Sequence, residues 1–179
     1  MMTMLPIEHV RQSLAQAPRI VEGMIAAAPA GSLAWREVPG AWTPVEVLAH
    51  LADGEITDWM PRVERILAGG GRFAPYDREG GFTRYRGWSA EALVGEFGQL
   101  RRANLEKFDR LTLTAPHLRL TGEHPEFGTV TLEQLLATWA AHDMAHVVQL
   151  SRIFTRAFGR HVGPWRRYFS TLEHWEPHD

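Results

Sequence analysis

Between Thr131 and Phe158, one stripe of side chains advances in steps of 4, 3, 4, 3 and 4: Leu135, Trp139, His142, His146, Gln149 and Ile153. A second stripe beside it reads Leu132, Leu136, Ala140, Asp143, Val147, Leu150 and Phe154. This spacing belongs to a long helix with a broad face turned toward partner helices. Thr131 with Gln134 three residues on forms a capping box at its start, and Gly159 is a natural stop. Such a helix buries its face only against others, and the rest of the chain supplies them. The first is expected from about Ile7 to Ala28, kinked or divided at Pro18. The second opens at Thr43-Pro44 with Glu46 placed to reach back, runs toward Leu67 with a bend at Pro61, and stops at Gly69-Gly70-Gly71. The third is capped by Ser89 and runs to about Leu111, with Arg101, Arg102, Glu106 and Lys107 assigned to its polar face. A turn-rich link that can hold a small hairpin follows, and the tail has room for one short helix. Residues 1–179 are therefore read as a single all-α domain, a four-helix bundle with a short C-terminal helix.

Both stripes of the last long helix are apolar except in the middle, where His142, Asp143, His146 and Gln149 cluster. Burying polar groups without partners costs about 1–3 kcal/mol each, so something must satisfy them. One reading is a hydrogen-bonded pair of core histidines. The other is a metal site, since imidazoles at i and i+4 project side by side from one face. A metal site needs a third ligand from another helix, and His50, in the second turn of the second helix, is the best placed; Gly54 one turn on leaves space beside it. The remaining histidines lie in links or tails and read as solvated. The chain has no cysteine, which removes disulfides, cysteine-bound zinc and a protein thiol nucleophile together.

A net charge of −2 argues against nucleic acid as a partner. No apolar run approaches the ~20 residues that cross a bilayer, and the first residues lack a signal-peptide pattern. The expected setting is cytoplasmic, with no membrane partner. Residues 69–88 form a long connection that interleaves Arg72, Arg78, Arg84 and Arg86 with Phe73, Tyr76, Phe82, Tyr85 and Trp88. Its simpler reading is a surface loop with its aromatics tucked onto the bundle. Its functional reading is a segment that folds back to bind substrate carboxylates, with Arg84 and Tyr85 as candidates. That return demands doubling back, because the loop starts nineteen residues beyond His50, about 28 Å along a helix.

Two segments, WTPVEVLAH ending at His50 and HDMAHVVQ beginning at His142, resemble the signature of the DinB/YfiT-like superfamily, and the likeness extends over nearly the whole chain. The resemblance implies an antiparallel four-helix bundle with a divalent metal, nickel or zinc, held by His50, His142 and His146. It further implies a thiol-dependent transferase or a hydrolase acting on a small electrophile, in stress response or detoxification, with a low-molecular-weight thiol as cosubstrate and a homodimer as the assembly. Asp143 and Gln149 are then candidates to orient ligands or solvent. The alternative is a non-catalytic stress-associated bundle whose metal is structural or sensory. HDMAH also approaches the zinc-protease pattern HExxH, but its third histidine lies far upstream on another helix.

Overall fold

A computed structural model describes residues 5–175. Four long helical units form the bundle: α1 (Ile7–Ala26), α2 with its continuation α3 (Pro44–Thr57 and Trp59–Leu67), α5 (Ala90–Asp109) and α7 (Leu132–Ala157). Between them lie the short helices α4 (Gly80–Arg84) and α6 (Ala115–Leu118) and a hairpin of β1 (Thr121–His124) and β2 (Gly128–Thr131). A 3₁₀ turn (Gly163–Tyr168) and the short helix α8 (Ser170–Glu173) close the described chain. The caps fall where the sequence puts them. Thr43 and Glu46 exchange hydrogen bonds with each other's backbone, as do Thr131 and Gln134, and Ser89 accepts from the Ala92 amide.

Two prolines disturb the helical hydrogen-bond ladder for the same reason: proline has no amide hydrogen and crowds the carbonyl four residues back. Pro18 does not divide α1. The Leu14 carbonyl that it leaves without a helical donor accepts instead from Arg101 Nη1 at 2.8 Å. Pro61 does not bend one helix but separates two. The carbonyl it crowds belongs to Thr57, the last residue of α2; α3 begins after Asp58 with Pro61 in its first turn.

Contacts along the helices set their directions. Arg11 pairs with Asp109 and Leu14 with Arg101, so α1 and α5 run antiparallel; His50 faces His142 and His146 while Glu55 faces Trp139, so α2 and α7 do too. By contrast α1 and α7 run parallel, with Leu5 bonded to Glu133 at one end and Ile25 sharing a cluster with Ile153 at the other. So do α2 and α5, where Leu48 packs with Leu93 and Phe97, and Glu55 with Arg101. A parallel neighbour requires the chain to return to its starting end. This is what residues 68–89 do, travelling back along α2. The three glycines that reverse the chain all adopt positive φ (106°, 82° and 103° at Gly69, Gly70 and Gly71), a region that side chains disfavour.

The core has two apolar halves, one around Leu14, Met60, Leu136 and Trp139 and one around Val21, Leu48, Phe97 and Ile153. Each fully buried Leu or Phe contributes roughly 1.5–3 kcal/mol. Between the halves lies a charged cluster. Arg101 is not on the polar face of α5: it is 1% exposed, on the same stripe as Leu93, Phe97, Leu105 and Phe108. Its guanidinium binds both oxygens of Glu55 (3.0 and 2.8 Å) and both of Asp143 (2.6 and 3.1 Å). Asn104 and Trp139 donate to Glu55 as well. Burial works against the guanidinium charge, but Glu55 and Asp143 outweigh it and hold Arg101 ionised. No helix among the described residues is long and apolar enough to cross a membrane.

Candidate metal centre

His50, His142 and His146 meet at one point between α2 and α7. One ligand atom from each lies within 4.8 Å of the others, and no fourth His, Asp or Glu joins them among the described residues. His50 is 3% exposed and His146 9%. Burial, helped by the charge His142 would carry, pushes the imidazole of His50 down to about 4. For the same reasons that of His146 falls to about 3. Both are therefore neutral at pH 7, the form a metal ligand needs.

Hydrogen bonds then decide where the lone pairs point. His50 Nδ1 lies 3.0 Å from the Arg78 carbonyl oxygen, which only accepts, so Nδ1 carries the proton and Nε2 the lone pair. His146 Nδ1 donates likewise to Gln149 Oε1 at 2.8 Å, which frees its Nε2. Both free nitrogens point at His142 Nε2, at 2.9 and 3.1 Å. A single hydrogen on that atom satisfies one of them and leaves the other lone pair facing it. A cation between the rings satisfies all three, and the residues present fit one. At bond lengths of ~2.1 Å, such separations correspond to ligands roughly 90° apart, grouped on one side of an ion. His142 Nδ1 is buried without a hydrogen-bond partner, with Asp143 Oδ1 3.8 Å away.

The surroundings come from three segments. Trp42, just ahead of the α2 cap, packs 4.9 Å from the His50 ring and stacks on His146 at 6.3 Å; Trp59 sets an edge against His142 at 4.9 Å. The third wall is the 68–89 connection. Its Tyr76 hydroxyl lies 3.2 Å from His50 Nδ1, and Gly81 presses against α2 so closely that a Cβ there would sit 2.5 Å from the Ala49 carbonyl oxygen. The space that Gly54 leaves beside His50 is filled by the Trp59 indole and the Tyr76 hydroxyl. Thus the connection buries Phe73 and Tyr85, leaves Trp88 exposed, and returns to the centre. Burial, with Asp53 and Asp58 nearby, raises the Tyr76 hydroxyl well above its ordinary range, so it keeps its proton and can donate it.

Of the other residues singled out in the sequence, Gln149 orients His146 directly. Asp143 lies next to the triad, but Arg101 holds both of its oxygens, which leaves no free carboxylate in the place of the zinc-protease glutamate. Arg84 pairs with Asp53 at 2.6 Å, and Tyr85 is 5% exposed with its hydroxyl toward Glu96; neither meets the triad. Their neighbours Tyr76 and Arg78 do. The signal for Arg78 is a backbone carbonyl, which no side-chain pattern reveals. His117 caps α6 and His124 stacks on Phe127, while His178 lies outside the described residues. A groove of about 670 Å³ between α1 and α5, rimmed by Arg11, Glu22, Glu91 and Asp109, contains none of the three histidines.

Comparison with known proteins gives two findings. The family described as the DinB superfamily matches residues 13–150. Among solved structures, YfiT from Bacillus subtilis, described as a probable metal-dependent hydrolase with an unusual four-helix bundle topology, is similar with a TM-score of 0.74 and 18% identity. The match covers 88% of this chain and 90% of that one, and at this identity it speaks for the fold. No curated protein matches.

Proposed function

Because this chain belongs to the DinB superfamily, we propose that it is a metal-dependent enzyme in which His50, His142 and His146 hold a divalent ion, nickel or zinc, and a small nucleophile is activated beside them. The observation that carries this reading is the absence of a fourth protein donor from the triad among the described residues. Three-ligand sites with room for an exchangeable partner are the pattern of catalytic centres, whereas structural sites are closed by a fourth residue. A divalent ion held there supplies a Lewis acid that brings a bound thiol or water toward ionisation near pH 7. Lacking cysteine, the chain takes any thiol from a cosubstrate. The favoured reaction is transfer of a low-molecular-weight thiol to a small electrophile; hydrolysis is the counterpart with water.

The chain's own residues do the rest. Arg78 O and Gln149 fix the ring orientation of His50 and His146, so their lone pairs point inward without rearrangement. Trp42, Trp59 and Phe82 line the approach with apolar surface and limit water beside the nucleophile. Tyr76, with its proton retained, is the hydrogen-bond donor available to a substrate or leaving group.

The test is a rate. Protein loaded with Zn²⁺ or Ni²⁺ is mixed with a low-molecular-weight thiol and an aryl chloride, and thioether formation with release of chloride and a proton is followed. The expected result is turnover that chelator-stripped protein lacks and that metal restores. Equal rates with stripped protein, for this reaction and for ester hydrolysis alike, would leave the non-catalytic bundle as the better account.

A further inference from the structure

We propose that Arg78 is the anion-recognition group of this centre, so that the molecule brought to the ion is a small carboxylate-bearing thiol. This inference rests on the reading of the triad as a metal site and adds the substrate class. A cavity of about 230 Å³, which none of the three histidines lines, adjoins the centre through Tyr76 and Arg78, both of which reach His50 Nδ1; Arg62, His124, Glu126, Phe127 and two prolines complete its lining. Its volume lies below the ~300–1,000 Å³ of sites for drug-sized ligands, which limits its occupant to a small molecule.

The charges of the lining are not equivalent. Arg62 is answered by Asp58 at 2.6 Å and lies over the Phe73 ring. Glu126 belongs to the turn between β1 and β2, a separate segment. Arg78 is exposed and has no carboxylate partner among the described residues; its guanidinium rests over the Trp42 ring, 5.4 Å from the centroid. That same ring packs against His50 and His146, and the Arg78 carbonyl holds His50 Nδ1. One residue therefore ties the histidine in place through its backbone and offers an unspent cation through its side chain. A guanidinium stacked on an aromatic face keeps its fork of donors free for a carboxylate. The side chain of Tyr76 joins the two regions, with its hydroxyl at His50 and its ring in the cavity wall.

The test compares 3-mercaptopropionate with its neutral counterpart 3-mercaptopropan-1-ol, by calorimetric titration into Zn²⁺-loaded protein. The expected result is about tenfold tighter binding of the acid, as for one charge-assisted hydrogen-bonded pair. Arg78→Gln, which keeps the backbone carbonyl, should erase that preference without changing zinc stoichiometry or affinity for the alcohol. Arg78→Lys should restore part of it. Equal binding of both thiols by the unaltered protein overturns the proposal, as does a loss of affinity in Arg78→Gln that is the same for both. Failure of zinc to bind stoichiometrically, or of both thiols to bind, overturns the underlying reading and this inference with it.

Discussion

Replacing His50 with alanine is expected to weaken Zn²⁺ or Ni²⁺ binding by at least about a hundredfold, as read by calorimetric titration. Loss of a residue that merely orients a ligand costs about 10–100-fold, and His50 is a candidate ligand itself. It is also the triad's whole contribution from α2, so without it the site reduces to two rings of one helix, spaced i and i+4. The same substitution at His124, which stacks on Phe127 in the hairpin turn, should leave affinity unchanged. Circular dichroism of the variant should still show a helical bundle, since none of the three histidines belongs to either apolar half of the core. An unchanged affinity in His50→Ala would mean that any bound metal sits elsewhere.

The second large effect concerns stability. Arg101→Met should destabilise the fold by about 3–5 kcal/mol, because removal of one partner leaves the others charged and buried. For a chain of this size each kcal/mol lowers Tm by ~2–4 °C, so thermal unfolding should shift by roughly 10 °C. Three groups lose a donor at once: Glu55, which keeps only the neutral donors Asn104 and Trp139, Asp143, and the Leu14 carbonyl that Pro18 leaves without a helical donor. Arg102→Met, next door and exposed, should change stability by no more than ~0.5 kcal/mol. If both substitutions prove equally mild, the charged layer does not hold the bundle together.

Much of this molecule is legible in the sequence, and the parts that are not share a physical cause. Helix starts at Thr43, Ser89 and Thr131 follow from local hydrogen bonding, which a few adjacent residues determine. The meeting of His50 with His142 and His146 is legible because a buried helix face tolerates imidazoles only when something satisfies them. Arg101 misleads because an arginine reads as solvent-facing until its stripe is traced through Leu93, Phe97, Leu105 and Phe108. Its partners lie 46 and 42 residues away, so the pairing is a tertiary fact. The return of residues 68–89 is hidden for a similar reason. It follows from α2 and α5 running parallel, which is a property of topology and not of any local pattern. Arg78 acts on His50 through a carbonyl that every residue type possesses.

The most direct test of three imidazoles gripping one ion with a side left free is X-ray absorption spectroscopy on the zinc-loaded protein. The expected spectrum contains three imidazole nitrogens at ~2.0–2.1 Å and at least one further light atom, with a sulfur neighbour at ~2.3 Å replacing it when 3-mercaptopropionate is added. Two or fewer imidazoles, or four protein donors that no added thiol displaces, would contradict it.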